Sequence, residues 1–153
     1  MGISAFDLDI YQQMILDHNR SPRNFKVLEN PSVSAEGFNP LCGDHLWIFA
    51  NTGENGELKE LSFQGSGCAI SKASASMMTV SLQGKTEEEA EEIFKEFRQL
   101  ITGELAPEQT QHLGKLKIFA GICRFPSRVK CAGLAWYTLR EALKRGEKLV
   151  STE

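Results

Sequence analysis

The sequence contains no long hydrophobic run. A bilayer-spanning helix takes ~20 apolar residues, and the apolar stretches of this 153-residue chain are far shorter. Near the amino terminus, Asp7 and Asp9 interrupt the apolar stretch that a secretory signal needs. We therefore expect neither a membrane protein nor a secreted one. The predicted location is the cytoplasm, where thiols stay reduced.

The sequence also lacks an excess of basic residues. It has 17 Lys and Arg against 20 Asp and Glu, which gives a formal net charge of −3. Sequence-independent nucleic-acid binding requires clustered Lys and Arg that contact phosphates. Basic residues concentrate only at 18–23 and 124–130, and both stretches are short enough to favour docking surfaces instead. No nucleic-acid partner is expected.

No internal repeat, low-complexity tract or interdomain linker divides the chain. Its length suits one domain with one core, so we predict a single domain over residues 1–153. Residues 32–64 show the pattern of short strands. Side chains of opposite character alternate over 46–51, as in a half-buried strand. Asn55-Gly56 then predicts a hairpin turn, and residues 58–63 the return strand.

Helical periodicity occupies most of the remaining sequence. Helices are predicted near residues 5–19, 68–84, 86–103, 107, 116–122 and from 126 onward. The third of these begins at Thr86 with Glu89 three residues later, which is a capping box. Strands precede most of the helices, so the predicted class is α+β. We expect a small antiparallel sheet of about three strands with helices packed on one face.

The four cysteines include no compact pair of the kind that structural zinc sites usually use. In a reducing compartment, metal binding or catalysis is a better expectation for them than disulfides. Cys42 and Asp44 flank Gly43, and residues i and i+2 of an extended chain project to the same face. Cys68 follows Gly65-Ser66-Gly67 at a predicted helix start, where the helix dipole lowers a thiol's pKa.

The predicted hairpin brings Cys68 back beside Cys42. Cys131 lies in the first or second turn of the last helix, with Arg128 three residues earlier on the same face. Three thiolates and the Asp44 carboxylate suit tetrahedral Zn²⁺. Such a site carries a net negative charge, which the nearby cations Arg128 and Lys130 would partly neutralise. Scattered ligands favour a site that exchanges a ligand, although buried inert thiols stay an alternative.

Other reactive residues carry weaker signals. Cys123 has no glycine turn or carboxylate neighbour and is expected to be a buried or semi-buried spare thiol. His45 follows Asp44 directly, so its side chain should face away from the site. His18 and His112 carry no site signal of their own.

Three motifs resemble the SufU-type proteins of the U-type, IscU/NifU-like family of iron–sulfur cluster assembly proteins. They are NPLCGD at residues 39–44, GSGCAISKASASMM at 65–78 and FPSRVKCA at 125–132. The stretch from Tyr11 to Asn24 also looks like the family's opening. The resemblance covers nearly the whole chain and implies an IscU/SufU-like fold.

Two departures from scaffold-type IscU proteins favour the SufU group. Lys130 stands where those proteins have His, and a helical insertion lies around residues 97–116. The resemblance then implies a zinc-dependent sulfurtransferase that accepts persulfide sulfur from a SufS-type cysteine desulfurase. Downstream iron–sulfur assembly proteins are its other implied partners.

Roles carry over by motif position. The implied zinc ligands are Cys42, Asp44, Cys68 and Cys131. Cys42 is the implied sulfur acceptor, and Arg128 matches the family's partner-contacting arginine. Two alternatives stay open: a scaffold on which a [2Fe–2S] cluster is assembled and passed on through the same ligands, and a domain with purely structural zinc.

Overall fold

The structure, a computed structural model, describes residues 5–145 and 149–151. Its helices are α1 (Ala5–Arg20), α2 (Ala69–Leu82), α3 (Glu87–Ile101) and α4 (Pro126–Arg145). Its strands are β1 (Val33–Asn39), β2 (Asp44–Thr52), β3 (Leu58–Ser66) and β4 (Leu149–Ser151). Two 3₁₀ helices span Pro107–Gln109 and Gly114–Arg124.

The strands form one sheet in the order β3-β2-β1-β4. β2 pairs antiparallel with both β1 and β3, and the β2–β3 hairpin turns at residues 53–57, as predicted. Leu46, Ile48 and Ala50 are fully buried, whereas Trp47 is 36% exposed, which confirms the predicted alternation. The sequence did not predict β4, a short strand that pairs parallel with β1.

Helices cover the inner face of the sheet. α4 packs on β1, β2 and α2, and α2 packs on β3. The predicted capping box of α3 is present: the Glu89 amide donates to Thr86 Oγ1 at 3.1 Å, and the Thr86 amide donates to Glu89 Oε1 at 3.0 Å. Trp136 of α4 stacks on Phe97 of α3 with ring centroids 4.4 Å apart. The predicted α+β class is confirmed.

The segment predicted as an insertion, residues 97–116, runs from the end of α3 to the start of the long 3₁₀ helix. That helix extends beyond the predicted 116–122. Leu113, Leu116 and Phe119 are buried in the same apolar cluster as the sheet's inner side chains. The segment therefore contributes to the core. Across residues 5–145 and 149–151, no helix has the length and apolar character needed to cross a membrane.

Candidate metal centre

A tight turn between β1 and β2 presents Cys42 to solvent. The Gly43 amide donates to the Asn39 carbonyl at 2.8 Å, and Gly43 adopts a φ of 73°, a left-handed conformation that glycine tolerates best. Asp44 opens β2 on the same face as Leu46, so its carboxylate points inward and has no solvent exposure. The turn thus pairs an exposed thiol with a buried carboxylate.

Cys68 lies at the N-cap of α2, as the sequence predicted. Its amide donates to Asp44 Oδ1 at 2.8 Å, and its Sγ accepts from the Ser71 amide at 3.4 Å. The preceding glycine permits this approach, because a Cβ on Gly67 would lie 2.8 Å from Asp44 Oδ1. Cys68 is therefore held against the carboxylate by its backbone, while its thiol stays partly exposed.

Cys131 enters the site from the second turn of α4 and is only 1% exposed. The neighbouring helix contact fixes its position: Ser74 Oγ donates to the Ala132 carbonyl at 2.6 Å, and Trp136 Nε1 donates to Ser74 Oγ at 3.0 Å. Because α2 carries Ser74, this pair of bonds also sets the distance between the helix that starts at Cys68 and the helix that holds Cys131.

Cys131 Sγ lies 3.2 Å from Cys42 Sγ. Burial raises the pKa of the Cys131 thiol far above its usual range, and hydrogen bonds with Cys42 and Asp44 and the charge of Cys68 act in the same direction. Without a cation the site therefore keeps this sulfur protonated. A divalent metal reverses that preference, because it stabilises the thiolate directly.

The donor set fits a tetrahedral metal. Ligand atoms of Cys42, Asp44 and Cys131 all lie within 4.8 Å of one another. Sulfur ligands of tetrahedral zinc sit about 3.7 Å apart, given Zn–S bonds of about 2.3 Å. Cys68 is not within 4.8 Å of all three, but its amide lies 2.8 Å from Asp44 Oδ1, and its charge helps to raise the pKa of Cys131. The structure thus brings three of the four predicted ligands together and places the fourth beside them.

Asn39 is a site residue that sequence reasoning missed. Its side chain is completely buried, and Nδ2 donates both to Asp44 Oδ2 at 3.1 Å and to Cys131 Sγ at 3.4 Å. Its Oδ1 accepts from the Leu41 amide at 3.3 Å. One amide therefore orients a carboxylate, a sulfur and the turn that carries Cys42. Its place at the start of the NPLCGD motif was the available signal.

Arg128 lies on the exposed first turn of α4, outside the ligand cluster. Its guanidinium sits over the Phe125 ring, 5.3 Å from the centroid. Both residues line an apolar groove of about 570 Å³ between α1 and the long 3₁₀ helix, and Ala69, the neighbour of Cys68, lines it too. Arg128 therefore lies between the surface beside the cysteines and the apolar groove.

Two further expectations have clear outcomes. His45 faces away from the site, as predicted: it hydrogen-bonds with Glu36 and stacks on Trp47 at 4.2 Å between centroids. The expectation for Cys123 was wrong, because this thiol is exposed. It occupies the outer side of the last turn of the 3₁₀ helix, where the neighbouring Ile122 takes the buried position.

Fold and site together define a small α+β protein with a thiol-rich candidate metal centre. The family model described as "NifU-like N terminal domain" matches residues 10–132. The chain therefore belongs to this family, the U-type family of iron–sulfur cluster assembly proteins that the sequence motifs resembled.

Individual relatives support the same assignment. The zinc-dependent sulfurtransferase SufU of Bacillus subtilis is 36% identical over 138 residues, covering 90% of this chain and 92% of the relative. The iron–sulfur cluster assembly scaffold protein IscU of Streptococcus pyogenes is 36% identical over 136 residues, covering 89% and 84%. A crystal structure from Fervidobacterium islandicum, proposed to be a scaffold protein of the SUF system, has a TM-score of 0.80 at 33% identity and covers 88% of this chain and 97% of that one.

Proposed function

We propose that this protein is a zinc-dependent sulfurtransferase acting in the cytoplasm. It accepts persulfide sulfur from a SufS-type cysteine desulfurase and passes it on for iron–sulfur cluster assembly. The observation that carries the proposal is the graded exposure of the three clustered sulfurs. Cys42 is exposed, Cys68 is intermediate and Cys131 is buried. A partner's persulfide can reach Cys42 directly, while the thiols of Cys68 and Cys131 are less accessible.

The donor set of Cys42, Asp44, Cys68 and Cys131 would hold the zinc. When bound there, zinc keeps the thiols deprotonated and shields them from oxidation. Asp44 contributes a harder oxygen ligand in place of a fourth thiolate, which favours ligand exchange over permanent closure. Its two oxygens are positioned by separate donors, Oδ1 by the Cys68 amide and Oδ2 by Asn39.

The transfer step is a thiol–persulfide exchange. The Cys42 thiolate attacks the outer, sulfane sulfur of the desulfurase persulfide, and a new S–S bond forms at Cys42. The S–S bond of the desulfurase breaks, and its electron pair stays on the desulfurase cysteine, which takes the proton that the persulfide carried. No external oxidant or reductant is consumed. The glycine beside Cys42 leaves this sulfur open to approach.

Arg128 supplies a candidate contact for the desulfurase. It is exposed beside the cluster and lines the apolar groove with Phe125. A guanidinium can make paired hydrogen bonds to a carboxylate or to carbonyl groups of a partner. We therefore assign Arg128 to docking. It has no contact with the ligand cluster among the described interactions, so a role in holding the metal is not part of this proposal.

The scaffold alternative has one observation in its favour. The relative named as an IscU scaffold is as similar to this chain as the relative named as a SufU sulfurtransferase, at 36% identity each. A [2Fe–2S] cluster would be cargo on the same thiols. Lys130 stands where scaffold-type proteins have a histidine, and this departure favours the sulfurtransferase.

The test compares single cysteine variants in a desulfurase assay. Cys42→Ala, Cys68→Ala and Cys131→Ala should each abolish stimulation of a SufS-type desulfurase by the purified chain. Cys123→Ala is the matched control and should retain most of it, since this thiol lies outside the cluster. Mass spectrometry should place the added sulfur atom on the peptide that contains Cys42. Equal loss in all four variants, or equal retention, contradicts the proposed site.

The same preparation separates the two functions. A chain that leaves the desulfurase rate unchanged, yet acquires a [2Fe–2S] cluster under anaerobic reconstitution and donates it to an apo-ferredoxin, would be a scaffold.

A further inference from the structure

A cluster of basic residues lies near the C-terminal end of α2, opposite the end that carries Cys68. A cavity of about 430 Å³ opens between the ends of α1 and α2 and the start of the long 3₁₀ helix. We call it the cationic pocket. It lies about 18 Å from Cys68, given the 1.5 Å rise per residue of an α-helix and the position of Val80 in its lining. This volume is typical of small-molecule binding sites.

Among the described residues, the lining of the cationic pocket includes five basic residues and no acidic one, in a chain whose net charge is −3. The five are His18, Arg23, Lys85, His112 and Lys115. Arg23 already pairs with Asp17 at 2.7 Å, and His112 pairs with Glu96 at 2.9 Å. Lys85 and Lys115 have no ion pair in the part of the chain that the structure describes.

His18 is a half-buried member of the lining. Burial lowers its pKa, and the charges of Arg23 and Lys115 lower it further, while Asp17 acts in the opposite direction. The ring is fixed by a 2.7 Å hydrogen bond between Nδ1 and Ser76 Oγ. The imidazole is therefore held at the edge of the pocket, beside Arg23 and Lys115.

One wall of the pocket is apolar. Met77, Ile93 and Leu113 are at least 93% buried, and they form the floor. Val80 stands at the rim with 55% of its surface exposed, although it lies in the last turn of a helix that is otherwise largely buried. A bound group that covers Val80 would remove apolar surface from water.

We propose that the cationic pocket binds a small phosphate monoester that carries an apolar substituent. A phosphate monoester has a charge of about −1.5 to −2 at pH 7, which matches two unpaired lysines, whereas a single carboxylate would leave one of them uncompensated. The apolar substituent lies against Val80 and Leu113. This site is separate from the cysteine cluster, and the proposal does not depend on sulfur transfer.

Phenyl phosphate is the probe, titrated into the full-length chain and followed by methyl NMR. We expect saturable shifts at the methyl groups of Val80 and Leu113, and a rise in the His18 pKa as the phosphate arrives. Lys85→Gln combined with Lys115→Gln should weaken binding about tenfold, the effect of removing two unit charges near the ligand at high effective dielectric. Both lysines are exposed, so the core stays intact.

The matched control is Lys59→Gln combined with Lys144→Gln, which changes the net charge equally at exposed positions outside the pocket. This variant should bind phenyl phosphate like the wild type. The proposal is overturned by absent or non-saturable shifts, or by equal weakening in both double variants. Tighter binding of benzoate or of an acidic peptide would show that the ligand class is wrong. Inorganic phosphate binding as tightly as phenyl phosphate would contradict the role of the apolar wall.

Discussion

Replacing Asn39 with Leu tests whether the buried amide positions the metal ligands. Leu has the same number and branching of side-chain heavy atoms, so the substitution removes the amide without opening a cavity. Asp44 Oδ2 and Cys131 Sγ then lose the donor that lies 3.1 and 3.4 Å away. Asp44 keeps only the Cys68 amide on its other oxygen. The carboxylate should become free to rotate, and its preorganisation for a metal is lost.

The expected magnitude follows from the burial of both acceptors. A hydrogen bond to a charged group contributes about 1.5–3 kcal/mol, and a buried acceptor that loses its donor retains the desolvation penalty. Because ~1.4 kcal/mol is a factor of ten, zinc should bind about 10–100-fold more weakly, the range typical of lost outer-shell partners. Competition against a chromophoric chelator measures this affinity, and thermal melts of the metal-free protein measure any general loss of stability.

The matched control is Asn19→Leu, a change of the same chemistry on α1, away from the cysteines. It should leave zinc affinity unchanged. Wild-type zinc affinity in Asn39→Leu would refute the positioning role, even if the protein melted at a lower temperature. A drop in melting temperature that is identical with and without zinc would assign Asn39 to the fold alone.

Four other outcomes are expected. Elemental analysis of the purified chain should find about one zinc per chain; its absence, with all four thiols titrating freely, contradicts the site. Asp44→Ala should loosen the metal in chelator competition, while Asp44→Cys should tighten it and slow desulfurase turnover. Arg128→Ala should keep zinc and melting temperature but lose desulfurase stimulation, and Arg128→Lys should restore only part of it; loss of zinc would place the arginine in the metal site. The folded-state pKa of His18 lies below its usual 6.5. The free energy of unfolding should therefore be highest above pH 6.5 and should fall as the pH drops from 6.5 towards the folded-state pKa. Denaturant melts at about pH 7.5 and about pH 5.5 should show a smaller pH dependence for His18→Gln than for the wild type.

Features with local causes could be predicted from the sequence. The β2–β3 hairpin follows from alternation and the Asn55-Gly56 turn, and the start of α3 follows from Thr86 and Glu89. Chain direction in the hairpin predicted that Cys68 lies beside Cys42, and in the structure the Cys68 amide contacts Asp44, two residues after Cys42. These signals lie within a few residues of the structure that they specify, so no knowledge of the tertiary fold was needed.

Features with distant causes were missed. β4 has three residues, and its partner, β1, lies more than a hundred residues earlier in the chain. The exposure of Cys123 depends on which side of the long 3₁₀ helix packs against the core, where Ile122 takes the buried position. Asn39 resembles an ordinary turn residue until the burial of Asp44 and Cys131 around it is known. In each case the deciding contact is not encoded nearby.

The sulfurs of Cys42 and Cys131 meet across 89 residues of sequence. Closing a loop of this length with a covalent link is worth about 4–5 kcal/mol in the chain-entropy model, and a metal that joins the two residues acts in the same sense. Occupancy of the centre should therefore also govern resistance to unfolding. If Cys42 left the metal to receive sulfur, Asp44 would still join β2 to α4 through the metal, but the link through the β1–β2 turn would open. Loading sulfur would then make the fold less rigid. The donor protein is in contact with the chain during this step and can stabilise the fold against that loss.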